Sequence, residues 1–112
     1  MERLVRGDVV AIPFPFSDLS TTKKRPALVL ASLKYNDFIL CQITSKLKND
    51  NYGIELKEKD FQKGSLKKIS FARANRLFTA HQSLIIRKVG TIKETKLKEA
   101  IATACRILES QI

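Results

Sequence analysis

The chain has no tryptophan, one histidine, four glycines and three prolines in 112 residues. A lone His81 excludes a site built on paired imidazoles. Two cysteines, Cys41 and Cys105, lie far apart in apolar stretches, so neither a disulfide scaffold nor a Cys/His metal site is expected. They read as two reduced, buried thiols. The aspartates Asp8, Asp18, Asp37, Asp50 and Asp60 are scattered, and nothing clusters them for magnesium. No Gly-x-x-x-x-Gly-Lys phosphate loop occurs, and no Ser/His/Asp elbow. No apolar run approaches the roughly 20 residues that span a bilayer. Met1-Glu2-Arg3-Leu4 lacks the apolar core of a signal peptide, so a cytoplasmic protein with no membrane partner is expected.

Acid is the scarcest ingredient locally. Lysine and arginine number 21 against 11 acidic residues, a formal charge of +10. From Lys63 to Lys93 there are eight basic residues and no acid: Lys63, Lys67, Lys68, Arg73, Arg76, Arg87, Lys88 and Lys93. A field of that sign draws polyanions, nucleic acid first among them. A cationic surface that serves only solubility is the alternative.

Length and hydropathy suit one domain, residues 1–112, with a modest core. Asp8 precedes a strand over residues 9–14, marked as edge or bulged by Pro13 and Pro15. Residues 17–24 read as a polar loop. Residues 27–31 form a continuous apolar run, the pattern of a strand buried on both faces. Tyr35-Asn36-Asp37 supplies a turn before a strand over 38–44. A lysine- and asparagine-rich loop at 46–53 leads to a short strand at 54–56, and Lys63-Gly64-Ser65 to a turn. Residues 66–78 read as two strands with an irregular join, and 83–90 continue the sheet. The period then changes: Leu97, Ala100, Ile101, Ala104, Cys105 and Leu108 recur at helical spacing, behind a capping box at Thr91-Ile92-Lys93-Glu94. Short strands followed by one helix give an α+β, mainly β class, a small barrel or strongly bent sheet with a C-terminal helix.

Three groups of residues have the chemistry to handle a phosphodiester. Arg25 stands at the lip of a strand, fixed by Pro26, beside Lys23 and Lys24; its planar fork suits phosphoryl oxygens. Thr44 and Ser45 end a strand, where their hydroxyls project from a rigid frame. In Ser70-Phe71-Ala72-Arg73-Ala74-Asn75-Arg76 an extended chain puts Arg73 and Asn75 on one face and Arg76 on the other. Taken alone, the same residues also read as a solvated loop charge, a good strand threonine and an exposed sheet face. His81 reads as a loop-surface residue.

Taken together, Arg6-Gly7-Asp8-Val9, Arg25-Pro26-Ala27-Leu28-Val29-Leu30, Ile43-Thr44-Ser45, Ser70-Phe71-Ala72-Arg73 with Leu77, and the closing helix resemble, in order and spacing, the MazF/PemK family of type II toxin–antitoxin toxins. The resemblance covers nearly the whole chain. It implies an SH3-like barrel of five to seven strands with a C-terminal helix, usually a homodimer. It implies metal-independent, cofactor-free, sequence-specific cleavage of single-stranded RNA, mRNA included, leaving 2′,3′-cyclic phosphate and 5′-hydroxyl ends. It implies a cognate antitoxin that blocks the groove, with operator DNA bound only through the antitoxin complex.

On that resemblance Arg25 stabilises the phosphorane and Thr44 binds a phosphoryl oxygen, as the catalytic pair. Lys24, Ser45, Arg73, Asn75 and Arg76 then contact substrate. Two departures stand out. Asn75 occupies a position where some members carry a carboxylate, and residues 17–24 lack the glycines frequent there. The alternatives are a non-catalytic nucleic-acid-binding module and a gyrase-directed toxin on the same fold.

Overall fold

The computed structural model describes residues 3–15, 22–46 and 51–110. Seven strands and one helix follow each other: β1 Asp8–Pro15, β2 Thr22–Ser32, β3 Asp37–Thr44, β4 Gly53–Leu56, β5 Phe61–Gly64, β6 Ser70–His81, β7 Arg87–Ile92 and α1 Glu94–Glu109. All pair antiparallel in the order β4-β6-β3-β2-β1-β7-β5, and the sheet curls into a half-barrel. Register shifts at Val9/Val10, Val29/Ala31 and Cys41/Ile43 supply the bends, because an extra residue on one strand sharpens its local twist.

The central strand β2 shows why the run 27–31 is apolar. Leu28 and Leu30 point into one core with Val9, Cys41, Ile43, Ala72 and Ala74. Ala27 and Val29 point into a second core with Val10, Ile12, Phe38 and Leu40. A strand buried on both faces needs no polar alternation. The first core is closed by α1, which packs on β6 and β4 through Ala100, Ala104, Leu97, Ile101 and Ile107.

The turn before β1 depends on Gly7. Its φ is +97°, a region L side chains rarely adopt, and a Cβ there would lie 3.4 Å from Leu97 Cδ2. Its amide donates to Val29 O at 2.8 Å and its carbonyl accepts from Ile92 N at 2.9 Å. Asp8 follows, fully buried. It accepts from Val5 N and from Thr91 Oγ1, and pairs with Lys88 Nζ at 3.3 Å.

Several local expectations are corrected. Lys23 and Lys24 belong to β2 rather than a loop, because they pair with Phe14 and Pro13 of β1. Thr22 lies in β2 as well, and residues 17–21 of the expected loop fall outside the described residues, as do positions 47–50 of the loop at 46–53. Residues 70–81 make one strand, not two, with its irregularity inside it. Residues 82–84 form a 3-10 turn, and β7 runs on past Gly90 to Ile92. The helix starts at Glu94, and its N-cap Lys93 makes no side-chain cap. Thr91 does not cap because it lies in β7, two residues before that N-cap, where its hydroxyl donates to Asp8.

Cys105 is exposed, whereas Cys41 is buried as expected. The helix presents Thr103 inward in its place. Thr103 Oγ1 donates to Glu99 O at 2.8 Å, which satisfies the hydroxyl and lets the residue sit against the core. Leu108 consequently lies 71% exposed.

Candidate active site

On the face of the second core, the apolar series stops at one end of the sheet and polar residues take over. On β2 that face reads Val29, Ala27, Arg25; on β3 it reads Phe38, Leu40, Gln42, Thr44. Ala27 pairs with Gln42, and the same register continued sets Arg25 opposite Thr44. On β1, Ile12 pairs with Arg25, which leaves Phe14 diagonal to Arg25 on the same face, within reach of long side chains. On β6, Phe71 pairs with Thr44, so Arg73, two residues on, shares that face.

These residues line a groove of about 260 Å³: Phe14, Arg25, Gln42, Ile43, Thr44, Lys46 and Arg73. The sheet order β6-β3-β2-β1 therefore lays Arg73, Thr44, Arg25 and Phe14 in a row across four strands. Three strand intervals span roughly 14 Å. Among the described lining residues three carry positive charge and none carries negative charge, which suits an anionic polymer threaded along the row.

Arg73 is only 9% exposed, and a bulge accounts for its placement. Cys41 pairs with Leu77 and Ile43 with Ala72, so four residues of β6, from Arg73 to Arg76, stand against Gln42 alone. Ala72 and Ala74 keep their places in the first core, which turns Arg73 to the opposite face. Ala74 N donates to Tyr52 O at 3.2 Å, anchoring the bulge to the chain before β4. Past the bulge the phase changes: Leu77 joins the first core and Phe78 the second.

Thr44 is held by its own turn. Its Oγ1 accepts from Lys46 N at 3.1 Å and donates to Lys46 O at 3.2 Å. That closed turn brings Lys46 to the groove. Phe14 is set by an edge-to-face contact with Phe78, ring centroids 4.8 Å apart.

Of the residues singled out in the sequence, Arg25, Thr44 and Arg73 come together in the groove. Lys24, Ser45, Asn75 and Arg76 are not among its lining residues. Lys24, Ser45 and Arg76 are exposed beside it in sequence, and Asn75 is half-buried in the bulge. Asn75 Oδ1 is buried with no hydrogen-bond partner among the described residues. His81 ends β6 and accepts from Ser83 N through Nδ1, away from the groove lining. The acid-free run from Lys63 to Lys93 is not one surface: Arg73 enters the groove while Lys88 pairs with Asp8.

Phe14, Gln42 and Lys46 are the groove residues that sequence reasoning missed. Gln42 left a signal, since it interrupts an inward-facing series that begins Phe38, Leu40. Lys46 left none, because its position depends on the Thr44 turn.

The chain was compared with known proteins. A family model described as PemK-like, MazF-like toxin of type II toxin–antitoxin system matches residues 5–108. No curated protein matches. Among solved structures, MazF from Deinococcus radiodurans is 20% identical with a TM-score of 0.77, covering 98% of this chain and 100% of that one. The Mycobacterium tuberculosis toxin MazF-mt6 is 11% identical with a TM-score of 0.72, covering 94% and 99%. An endoribonuclease in complex with its cognate antitoxin, from a mycobacterial species, is 14% identical with a TM-score of 0.71, covering 94% and 97%. At these identities the structural matches establish a shared fold.

Proposed function

The chain belongs to the PemK-like, MazF-like toxins of type II toxin–antitoxin systems, and from that premise we propose that it is a toxin endoribonuclease. Its substrate is single-stranded RNA, mRNA included, cut at short sequences. The observation that carries this reading is the convergence of Arg25, Thr44 and Arg73, from three adjacent strands, on one cation-lined groove.

RNA brings its own nucleophile. The 2′-hydroxyl loses its proton as its oxygen attacks the adjacent phosphorus, the bond to the 5′-oxygen breaks, and that oxygen takes up a proton, giving a 2′,3′-cyclic phosphate and a 5′-hydroxyl. The protein has to align these three atoms and stabilise the charge that gathers on the phosphoryl oxygens. No metal-generated hydroxide is required by this route. Arg25 offers a planar pair of donors to the phosphorane. A guanidinium offers donors and no acceptor, which suits an electrostatic role. Thr44 exchanges its bond to Lys46 O for one to a phosphoryl oxygen. Arg73, at the other end of the row, holds a phosphate and sets the strand's direction.

A cognate antitoxin belongs to this reading, since a structural relative is an endoribonuclease with its cognate antitoxin. So do a homodimer, operator contact only through the antitoxin complex, and a cytoplasmic location. No helix among the described residues is long and apolar enough to cross a membrane.

The test is incubation of purified protein with mixed-sequence RNA in EDTA, with mapping of product ends and Arg25→Ala alongside. Cyclic-phosphate ends from the parent protein, lost in a folded Arg25→Ala variant, are expected. Intact RNA with folded, antitoxin-free protein overturns the reading in favour of a binding module or a gyrase-directed toxin.

A further inference from the structure

Gln42 is the one amide among the described residues that line the groove. Its neighbours there are cations, a hydroxyl and apolar side chains. Phosphate oxygens only accept hydrogen bonds, and the arginines and lysine meet that need. An amide presents a donor and an acceptor side by side, which a phosphate does not use and a base edge does.

The placement of Gln42 is specific. It lies on the same sheet face as Leu40 and Thr44, two residues from the hydroxyl proposed to bind the scissile phosphate. Its partner Ala27 on β2 is small. On its other side the β6 bulge withdraws one-to-one pairing: four residues, from Arg73 to Arg76, lie between the partners of Cys41 and Ile43. Bulges re-aim side chains beside sites. Here the bulge leaves Gln42 without a one-to-one partner on β6, and Arg73 from that bulge lines the same groove. Gln42 remains half-buried at the groove floor instead of being closed into the second core. Phe14 stands at the far end of the row and offers an aromatic surface of the kind on which bases stack.

We propose that Gln42 is a specificity-determining residue that hydrogen-bonds the base edge of a nucleotide adjoining the scissile phosphate. This rests on the ribonuclease reading. The phosphate-binding row fixes where the backbone lies, and Gln42 selects which base is tolerated beside it. Positioning by phosphate contacts and selection by base contacts is the usual division of work in nucleic-acid recognition.

The experiment uses the full chain with a randomised single-stranded RNA pool in EDTA, sequencing the fragments that carry cyclic-phosphate ends. The parent protein, Gln42→Ala and Gln42→Glu are compared, with thermal melts showing each folded. Gln42→Ala is expected to flatten the preference at one nucleotide position by roughly tenfold, leaving the other positions as they were. Gln42→Glu, nearly isosteric and purely accepting, is expected to shift that position towards bases with an exocyclic amino group. Three identical sequence preferences, with only the overall rate changed, overturn the assignment while the ribonuclease reading stands. Absence of cyclic-phosphate ends from the parent protein overturns both.

Discussion

Thr91 Oγ1 donates a 2.9 Å hydrogen bond to Asp8 Oδ1 across 83 positions of sequence. The contact ties the strand before the helix to the turn that begins the sheet. Asp8 also holds Val5 N and Lys88, so the Arg6-Gly7-Asp8 opening serves the frame rather than the groove.

Asp8→Ala strips a fully buried carboxylate from three partners and leaves the Lys88 ammonium without it. A loss of about 3 kcal/mol is expected. Urea titration should show a lower midpoint with little change in slope. Asp8→Asn can still accept from Thr91 but loses the ion pair, and should fall between the two. A midpoint within error of the parent for Asp8→Ala would remove Asp8 from the frame.

The cysteines make opposite predictions. Cys105 is exposed and Cys41 buried, with burial pushing the Cys41 thiol up from 9.0 to about 12. An aromatic disulfide reagent should titrate one thiol in the native protein and two after denaturation. The raised value also has a stability consequence. Between pH 9.0 and about 12 the unfolded chain has lost the Cys41 proton and the folded chain keeps it. This contribution is therefore complete below pH 9 and falls as pH rises, by up to about 1.4 kcal/mol per unit. Cys41→Ala should show a shallower alkaline decline than the parent. Equal slopes would show that Cys41 is not held neutral by the core.

Much of the frame was legible because it depends on local pattern. Residues 27–30 sit between two cores, and an uninterrupted apolar run is the pattern that satisfies both. Arg25 could be found by its basic cluster and Pro26, although it lies inside β2, paired with Ile12, and not at the lip of a strand as expected. What escaped depends on neighbours distant in sequence. The β6 bulge exists through its pairing with β3, so nothing within residues 70–78 shows which of Arg73, Asn75 and Arg76 enters the groove. Thr91 carries the sequence signature of a cap, but β7 runs on through Ile92 and the N-cap falls on Lys93. Cys105 continues the apolar spacing of α1, but Thr103 can satisfy its hydroxyl within the helix and takes the inward place.

Thr44 separates turn-building from substrate binding. Thr44→Ser keeps the hydroxyl that closes the turn to Lys46, and RNA cleavage should stay within roughly tenfold of the parent. Thr44→Val keeps the shape and loses both the turn bonds and the phosphoryl contact. Its cleavage rate should fall about 100-fold or more, with stability changed by less than about 1.5 kcal/mol because the turn bonds are exposed. Full activity in Thr44→Val would confine Thr44 to the turn.

Arg73 makes the most quantitative claim on the groove. If it neutralises one phosphate, removing it subtracts one released counterion from the binding equilibrium. For single strands the slope of log affinity against log salt should become shallower by about 0.7 in Arg73→Ala. The measurement uses RNA with a 2′-deoxy substitution at the cleaved position, so that binding is read without turnover. Arg73 is buried in the bulge, so Arg73→Lys serves as the companion that keeps the charge. It should retain the parent slope while losing affinity through its poorer fit to two phosphoryl oxygens. A parent-like slope in Arg73→Ala would place the phosphate contacts elsewhere in the groove, on Arg25 and Lys46 alone.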